Sequence, residues 1–369
     1  MRSIAVAGRR IGEGAPAFVI AEIGTGHEGD LVRARGLVDA AAEAGADCAK
    51  FQAVFADEII HPKTGDVPLP GGSISLYERF RSLERDRDFF RAVKEHTERS
   101  GLVFLCTPFG PRSAAILHAL GVDAYKIASP ELNYTALIRQ VAGYGRPIIL
   151  SSGVSTLGDI ERAVEAAGSE TALLHCITAY PAPPEEYNLR LLPSLASLFG
   201  VTVGVSDHSL DPVLVPAACV AAGGTIVEKH LCLSRSDRGL DDPIALPPEE
   251  FRRMVKAVRL AELEGREATL ERLGRDYGAA RVEAVLGDGI KRLAPSEQAN
   301  YRRTNRSLHA LSFIAAGERL SEANLAVLRT EKLLRPGLSP ELLSVILGKR
   351  TVRDIPAGEG ILWEDLLST

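Results

Sequence analysis

Lysine is scarce in this chain, nine against 34 arginines, yet three of the nine stand where short apolar runs end: Lys50, Lys126 and Lys229. An ammonium is a compact point charge suited to a phosphate or carboxylate oxygen, where a flat guanidinium needs more room. Hydroxyls close similar runs at Thr107, Ser129, Ser151 and Ser206. Brought to one place, such a set would cradle a small molecule bearing phosphate and carboxylate groups. Singly, none of these residues decides anything: serine and threonine are common at strand ends, and a lysine there can sit in a buried ion pair. That alternative is strongest for Lys229, whose neighbour is Glu228.

Two histidines end consecutive runs, His208 in GVSDHS and His230 in IVEKH. If those runs are neighbouring strands, the imidazoles lie side by side. Two nitrogens can hold one divalent ion and leave its other positions to water and substrate oxygen. That arrangement suits Mn²⁺, with Mg²⁺ or Co²⁺ as alternatives, better than structural zinc. A hydrogen-bonding pair in the core fits the spacing nearly as well. Asp207 and Glu228 are candidate outer carboxylates for such an ion. The cysteines (Cys48, Cys106, Cys176, Cys219 and Cys232) are odd in number and lack CxxC spacing, so they read as small buried apolar residues rather than disulfides or zinc ligands.

The elements that must position these groups recur regularly. Eight β-branched or apolar runs are expected as strands: Phe18–Glu22, Ala46–Phe51, Val103–Thr107, Ala124–Ser129, Pro147–Ser151, Ala172–Ile177, Val201–Ser206 and Thr225–His230. Segments of helical period lie between them, among them 31–44, 88–98, 112–120 and 157–167. Such alternation implies a parallel sheet. Eight near-equal units without a glycine-rich dinucleotide fingerprint favour a closed (β/α)₈ barrel over an open doubly wound sheet. In a barrel all strands end on one face, so Glu22, Lys50, Gln52, Thr107, Lys126, Ser129, Ser151, Ser152, His175, Ser206, Asp207, His208, Glu228, Lys229 and His230 are expected to converge there.

A composition of 46% hydrophobic and 25% charged residues is ordinary for a soluble globular protein, and a net charge of −5 without a basic cluster argues against nucleic acid as the partner. No leader-like or membrane-spanning stretch is seen, so the cytoplasm is the expected location. With 369 residues, roughly 100 remain beyond an average barrel. The expected division is a barrel over 1–280, a linker over 281–303 and a small β-rich module over 304–369. A helix over 248–265 opens on two prolines, and the module contains a weak repeat, IAAGERLSEANL (314–325) and IPAGEGILWEDL (355–366).

Ordered blocks along essentially the whole chain resemble the sialic acid synthase family: AEIGTGHEGD (21–30), KFQ (50–52), TPF (107–109), KIASPEL (126–132), PIILSSG (147–153), LLHCITAYPAP (173–183), GVSDHS (204–209) and EKHLCLSRSDRGLDD (228–242). RRTNRSLHA (302–310), NLAVLR (324–329) and LGKR (347–350) resemble that family's small antifreeze-like (SAF) domain. The resemblance implies condensation of phosphoenolpyruvate with the open-chain aldehyde of an N-acylated hexose, giving a nine-carbon α-keto acid and phosphate. It assigns Lys50, Thr107, Lys126, Ser129, Ser151 and Ser206 to phosphoenolpyruvate, and His208 and His230 to Mn²⁺. Glu22 and Glu131 become the acid/base and water-orienting carboxylates, and Gln52, Tyr180 and Asp241 sugar contacts.

The family also implies a homodimer in which the SAF domain reaches the partner's barrel and supplies an arginine, here Arg329 with Arg335 as the alternative. Three departures bear on the acceptor: Gly26 where the family has asparagine, Ala245 where it has serine, and no asparagine near Gly72 in the 61–80 loop. They leave room for the same chemistry on a bis-acetamido trideoxyhexose, of the legionaminic or pseudaminic kind. A non-catalytic sugar- or phosphoester-binding barrel is the alternative of another class, and a metal hydrolase fits two histidines poorly.

Overall fold

The chain begins with an antiparallel hairpin, β1 (Ser3–Val6) and β2 (Arg9–Gly12). Strands β3 (Phe18–Gly24) and β4 (Cys48–Ala53) follow, then a second hairpin, β5 (Asp66–Leu69) and β6 (Gly72–Ser75). Next come β7 (Val103–Pro108), β8 (Tyr125–Ile127), β9 (Ile148–Ser151), β10 (Thr171–Cys176), β11 (Thr202–Asp207) and β12 (Ile226–His230). Apart from the two hairpins these strands are parallel and close into one eight-stranded barrel, β12 pairing back onto β3. All eight expected runs are therefore barrel strands. This architecture is that of a computed structural model describing residues 3–69, 72–331 and 333–367.

Helices fill the connections, and two of them, Leu31–Ala44 and Leu157–Ala167, have the bounds their periodicity predicts. Asp30 and Thr156 accept backbone N–H bonds at their first turns, as side-chain caps do. The helix expected over 248–265 continues past a break at Gly265 (φ 74°) to Tyr277. Among the described residues no helix is long and apolar enough to cross a membrane.

Alternation along each strand sorts the side chains into two cores. Phe18, Ile20, Val103, Leu105, Leu174 and Ile226 fill the barrel interior, and Ile4, Val6 and Ile11 of the first hairpin plug its lower end. Val19, Ala49, Phe104, Leu150, Leu173 and Val227 belong to the larger core packed against the helices. Two residues further along, the inward position becomes polar on every strand but β10, where it is Cys176, and the site begins there. On β11 the inward position below Ser206 is Gly204, where a Cβ would come within 2.1 Å of the Ile226 carbonyl oxygen. Only glycine allows β11 and β12 to approach so closely.

Beyond a helix at Ala279–Leu286, the segment expected as a polar linker is bonded to the barrel. Buried Glu297 accepts the backbone N–H groups of Val154 and Thr178, both at 2.7 Å. Asn300 and Asn305 donate to the carbonyls of the same two residues. The C-terminal module is built on antiparallel β13 (Arg306–Ala310) and β14 (Leu325–Arg329). Its core includes Leu308, Ile314, Leu325, Ile346, Ile355 and Ile361. The two halves of the repeat meet each other, with Ile314 and Ile355 exchanging backbone hydrogen bonds.

Within this single chain the module packs over the mouth of the barrel. Arg329 forms a parallel bridge with Ile60, the Leu333 N–H donates to the Thr64 carbonyl, and Asn133 pairs with the backbone of Arg306. The barrel-bound connector delivers the module to that place.

Candidate active site

At the carboxyl end of the barrel, Lys50 and Lys126 reach one carboxylate from two sides: their Nζ atoms lie 3.5 and 3.6 Å from Glu228 Oε1. Ser206 donates to the same oxygen at 2.9 Å, and Lys126 donates to Ser151 Oγ at 2.6 Å. All five residues are buried. Burial works against a charge on Glu228, yet Lys126, Lys50 and the Ser206 hydroxyl together draw its pKa down to about 2. Burial dominates at Lys126 and lowers its pKa despite Glu228. Lys50, held also by Glu22 at 2.8 Å, goes up. The two cations share Glu228, Lys50 having Glu22 as well, and the Thr107 hydroxyl and Glu228 Oε2 are buried without a hydrogen-bond partner. Such a cluster has donor capacity for an entering anion. Ser129 Oγ accepts the Gly153 N–H at 3.0 Å and lies beside the Cys176 and Thr178 side chains.

Glu22 connects this cluster to a cavity above it. Its Oε1 accepts from Gln52 Nε2 at 2.7 Å while Lys50 holds Oε2. Gln52, Tyr180, Asp241 and Arg329, the expected sugar contacts, all line one cavity of about 160 Å³. Val54, Ile59, Phe80, Phe109 and Leu240 give the same cavity apolar lining. A wider hollow of about 460 Å³ shares Pro130, Tyr180, Asp241 and Arg329 with it and continues to Asn300, Arg303 and Thr304. Arg329, not Arg335, faces this space. Arg335 is paired within the module to Asp365 at 3.0 Å.

His208 and His230 stand side by side, ring centroids 5.5 Å apart, and Tyr180 stacks on His208 at 4.3 Å. His208 Nδ1 meets the Ile177 carbonyl at 2.8 Å, so Nε2 is the nitrogen that a metal would use. His230 Nδ1 is 3.8 Å from Asp241 Oδ2. Burial opposes a charge on His208, but negative charge at Cys176 Sγ and the Ile177 carbonyl raise its pKa to about 9. Among the described residues no group of three or more His, Cys, Asp or Glu side chains could hold a metal. Two imidazole nitrogens are fewer than the four ligands of structural zinc and would leave most positions of a hexacoordinate ion open.

Strand parity corrects several sequence expectations. Lys229 pairs with Asp207 at 2.5 Å and donates to the Ser209 carbonyl at 2.6 Å, while its neighbour Glu228 points into the barrel. His175 also faces outward, against the Tyr187 carbonyl at 2.7 Å, and Ser152 Oγ donates to the Leu174 carbonyl. Asp207 and Glu228 thus belong to two lysine clusters. Glu131, expected as an acid/base group, has both oxygens engaged by arginines of the module: Arg306 Nε at 3.0 Å, and Arg329 Nε and Nη2 at 2.9 and 2.8 Å. Gly26 and Ala245 do not line the cavity, although their neighbours Thr25, Leu240 and Asp241 do. Pro70 and Gly71 of the 61–80 loop lie outside the described residues. Arg306 and Glu297 went unrecognised in the sequence, and no local pattern marks either as buried.

A model of the NeuB family matches residues 37–268, and one of the SAF domain matches residues 305–367. The spore coat polysaccharide biosynthesis protein SpsE of Bacillus subtilis is 34% identical over 100% of this chain and 98% of its own. Its crystal structure superposes over 100% of both chains with a TM-score of 0.84. An N,N'-diacetyllegionaminic acid synthase of Campylobacter jejuni is 32% identical, covering 93% of this chain and 98% of that one. The N-acetylneuraminate-9-phosphate synthase of Homo sapiens is 30% identical over 97% and 94%.

Proposed function

The chain belongs to the NeuB family and is an enzyme of it; on that premise we propose that it condenses phosphoenolpyruvate with the aldehyde of an N-acylated hexose, forming a nine-carbon α-keto acid and inorganic phosphate. The observation that carries this reading is the pair of buried ammonium groups converging on Glu228 among the hydroxyls of Ser151, Ser206 and Thr107. Phosphate and carboxylate of the donor exchange places with the shared contacts of Lys50 and Lys126, and Ser129 completes the cradle. The acceptor occupies the cavity above, against Gln52, Tyr180, Asp241 and Arg329.

The methylene carbon of the donor forms the new bond to the aldehyde carbon, whose oxygen takes a proton. Water then adds to the electron-poor donor carbon, loses its proton, and phosphate departs. Glu22, set between Lys50 and Gln52 at the junction of the two spaces, is the group placed to move those protons. Glu131 positions Arg329. A divalent ion, Mn²⁺ by preference, held by His208 and His230, would polarise the aldehyde as a Lewis acid. His230→Ala is expected to abolish metal-dependent turnover with the fold intact by circular dichroism. Full activity in the presence of a chelator removes the metal from the reading.

The same chemistry on a bis-acetamido trideoxyhexose is supported equally. The apolar wall of Val54, Ile59, Phe80, Phe109 and Leu240 favours an acceptor with deoxy and acyl methyl carbons, since a hydroxyl there finds no partner. Phosphate release and product mass with a panel of N-acyl hexoses decide between the two. Donor binding without phosphate release from any acceptor would instead mark a non-catalytic binding barrel. A homodimer also belongs to this reading, and a monomer mass in light scattering at micromolar concentration removes it.

A further inference from the structure

We infer that Arg306 is a positioning residue for acceptor binding, a buried guanidinium that fixes the cavity wall from behind. It is 1% exposed and is not among the residues lining the cavity. Its Nη2 donates to the Phe109 carbonyl at 2.6 Å; its Nη1 donates to the carbonyls of Glu58, of Ile59 at 3.3 Å and of Val327 at 3.2 Å; its Nε donates to Glu131. Each contact leads to a lining residue. Ile59 and Phe109 line the cavity themselves, Pro130 precedes Glu131, and Arg329 lies two residues beyond Val327. One side chain thus ties three barrel loops to the module strand that supplies Arg329.

Five donors in a rigid plane make this arrangement available to arginine, and a lysine cannot span it. Arg306 stands opposite Arg329 in the β13–β14 register, where like charges repel, and the Glu131 carboxylate between them relieves that repulsion. Docking of the module has a separate means. The Asn133 amide pairs with the backbone N–H and carbonyl of Arg306 at 3.1 and 2.8 Å without touching the guanidinium. Holding the module and shaping the wall are therefore separable by mutation.

The role rests on the acceptor reading above, and the test keeps the two apart. In the full-length protein, Arg306→Gln is expected to raise the acceptor KM about tenfold or more while donor affinity stays within about twofold. Arg306→Lys should recover only part of that loss, and Asn133→Ala should leave the KM split near wild type. Hydrogen exchange should quicken at residues 58–60 and 109–110 in Arg306→Gln but not in Asn133→Ala. Equal losses for donor and acceptor, or unchanged acceptor KM and exchange, would overturn the role. If the wild-type protein turns over no acceptor, the functional reading falls and the exchange comparison alone decides the positioning.

Discussion

Two lysine clusters lie one residue apart on β12 and have opposite designs. Lys229, outside the strands, has its own carboxylate in Asp207 and a carbonyl from Ser209. Lys50 and Lys126, inside, share Glu228 at longer range, with Glu22 at 2.8 Å from Lys50. The outer pair is closed, each charge matched and its donors satisfied. The inner group is open, with two cations near shared acceptors and a buried hydroxyl idle. Strand parity alone separates a cluster that holds the fold from one that can receive a substrate.

Breaking the closed pair should give the largest effect. Lys229→Met strands Asp207 and is expected to cost about 3–5 kcal/mol in urea unfolding, with donor affinity of the folded protein unchanged. Adding Asp207→Leu should restore most of that stability, since an apolar pair of similar volume replaces a buried ion pair well. Lys126→Ala should do the reverse, weakening phosphoenolpyruvate binding about a hundredfold in calorimetry with a smaller stability change. If both lysines affect stability and donor affinity alike, the contrast between the clusters collapses.

A third effect concerns pH and leaves both clusters charged. Burial holds His27 at about 4, His175 at about 3 and His309 at about 4, all below the ordinary histidine value. These side chains stay neutral in the folded protein, whereas the unfolded chain takes up protons below about 6.5. Stability should be full above about pH 6.5 and fall towards pH 4, by up to about 1.4 kcal/mol per pH unit for each histidine. Unfolding free energy measured from pH 7 to 4.5 checks the slope. His309→Gln should lessen it through the module alone, and a flat profile would show the histidines are not buried neutral.

Much of this was legible because the barrel repeats one rule. Apolar runs of β propensity marked all eight strands, and their polar ends marked the mouth. What failed was the side each residue takes: adjacency in sequence joined Lys229 to Glu228, although neighbours on a strand face opposite ways. The first hairpin was missed although Ile4, Val6 and Ile11 have the alternation of a buried strand pair. The ion pairs of Glu131 went unseen for a different reason. Its partners lie about 175 and 198 residues away in the module, and long-range docking leaves no local pattern.

The Glu297 clamp means that the seam in covalent sequence is not the seam in bonding. A barrel cut off after residue 286 would retain Val154 and Thr178 but lose the carboxylate that caps their amides, leaving two bare donors at the rim of its fifth and sixth units. A grafted module from a relative would work only if residues 294–305 stayed with the barrel they grew up against.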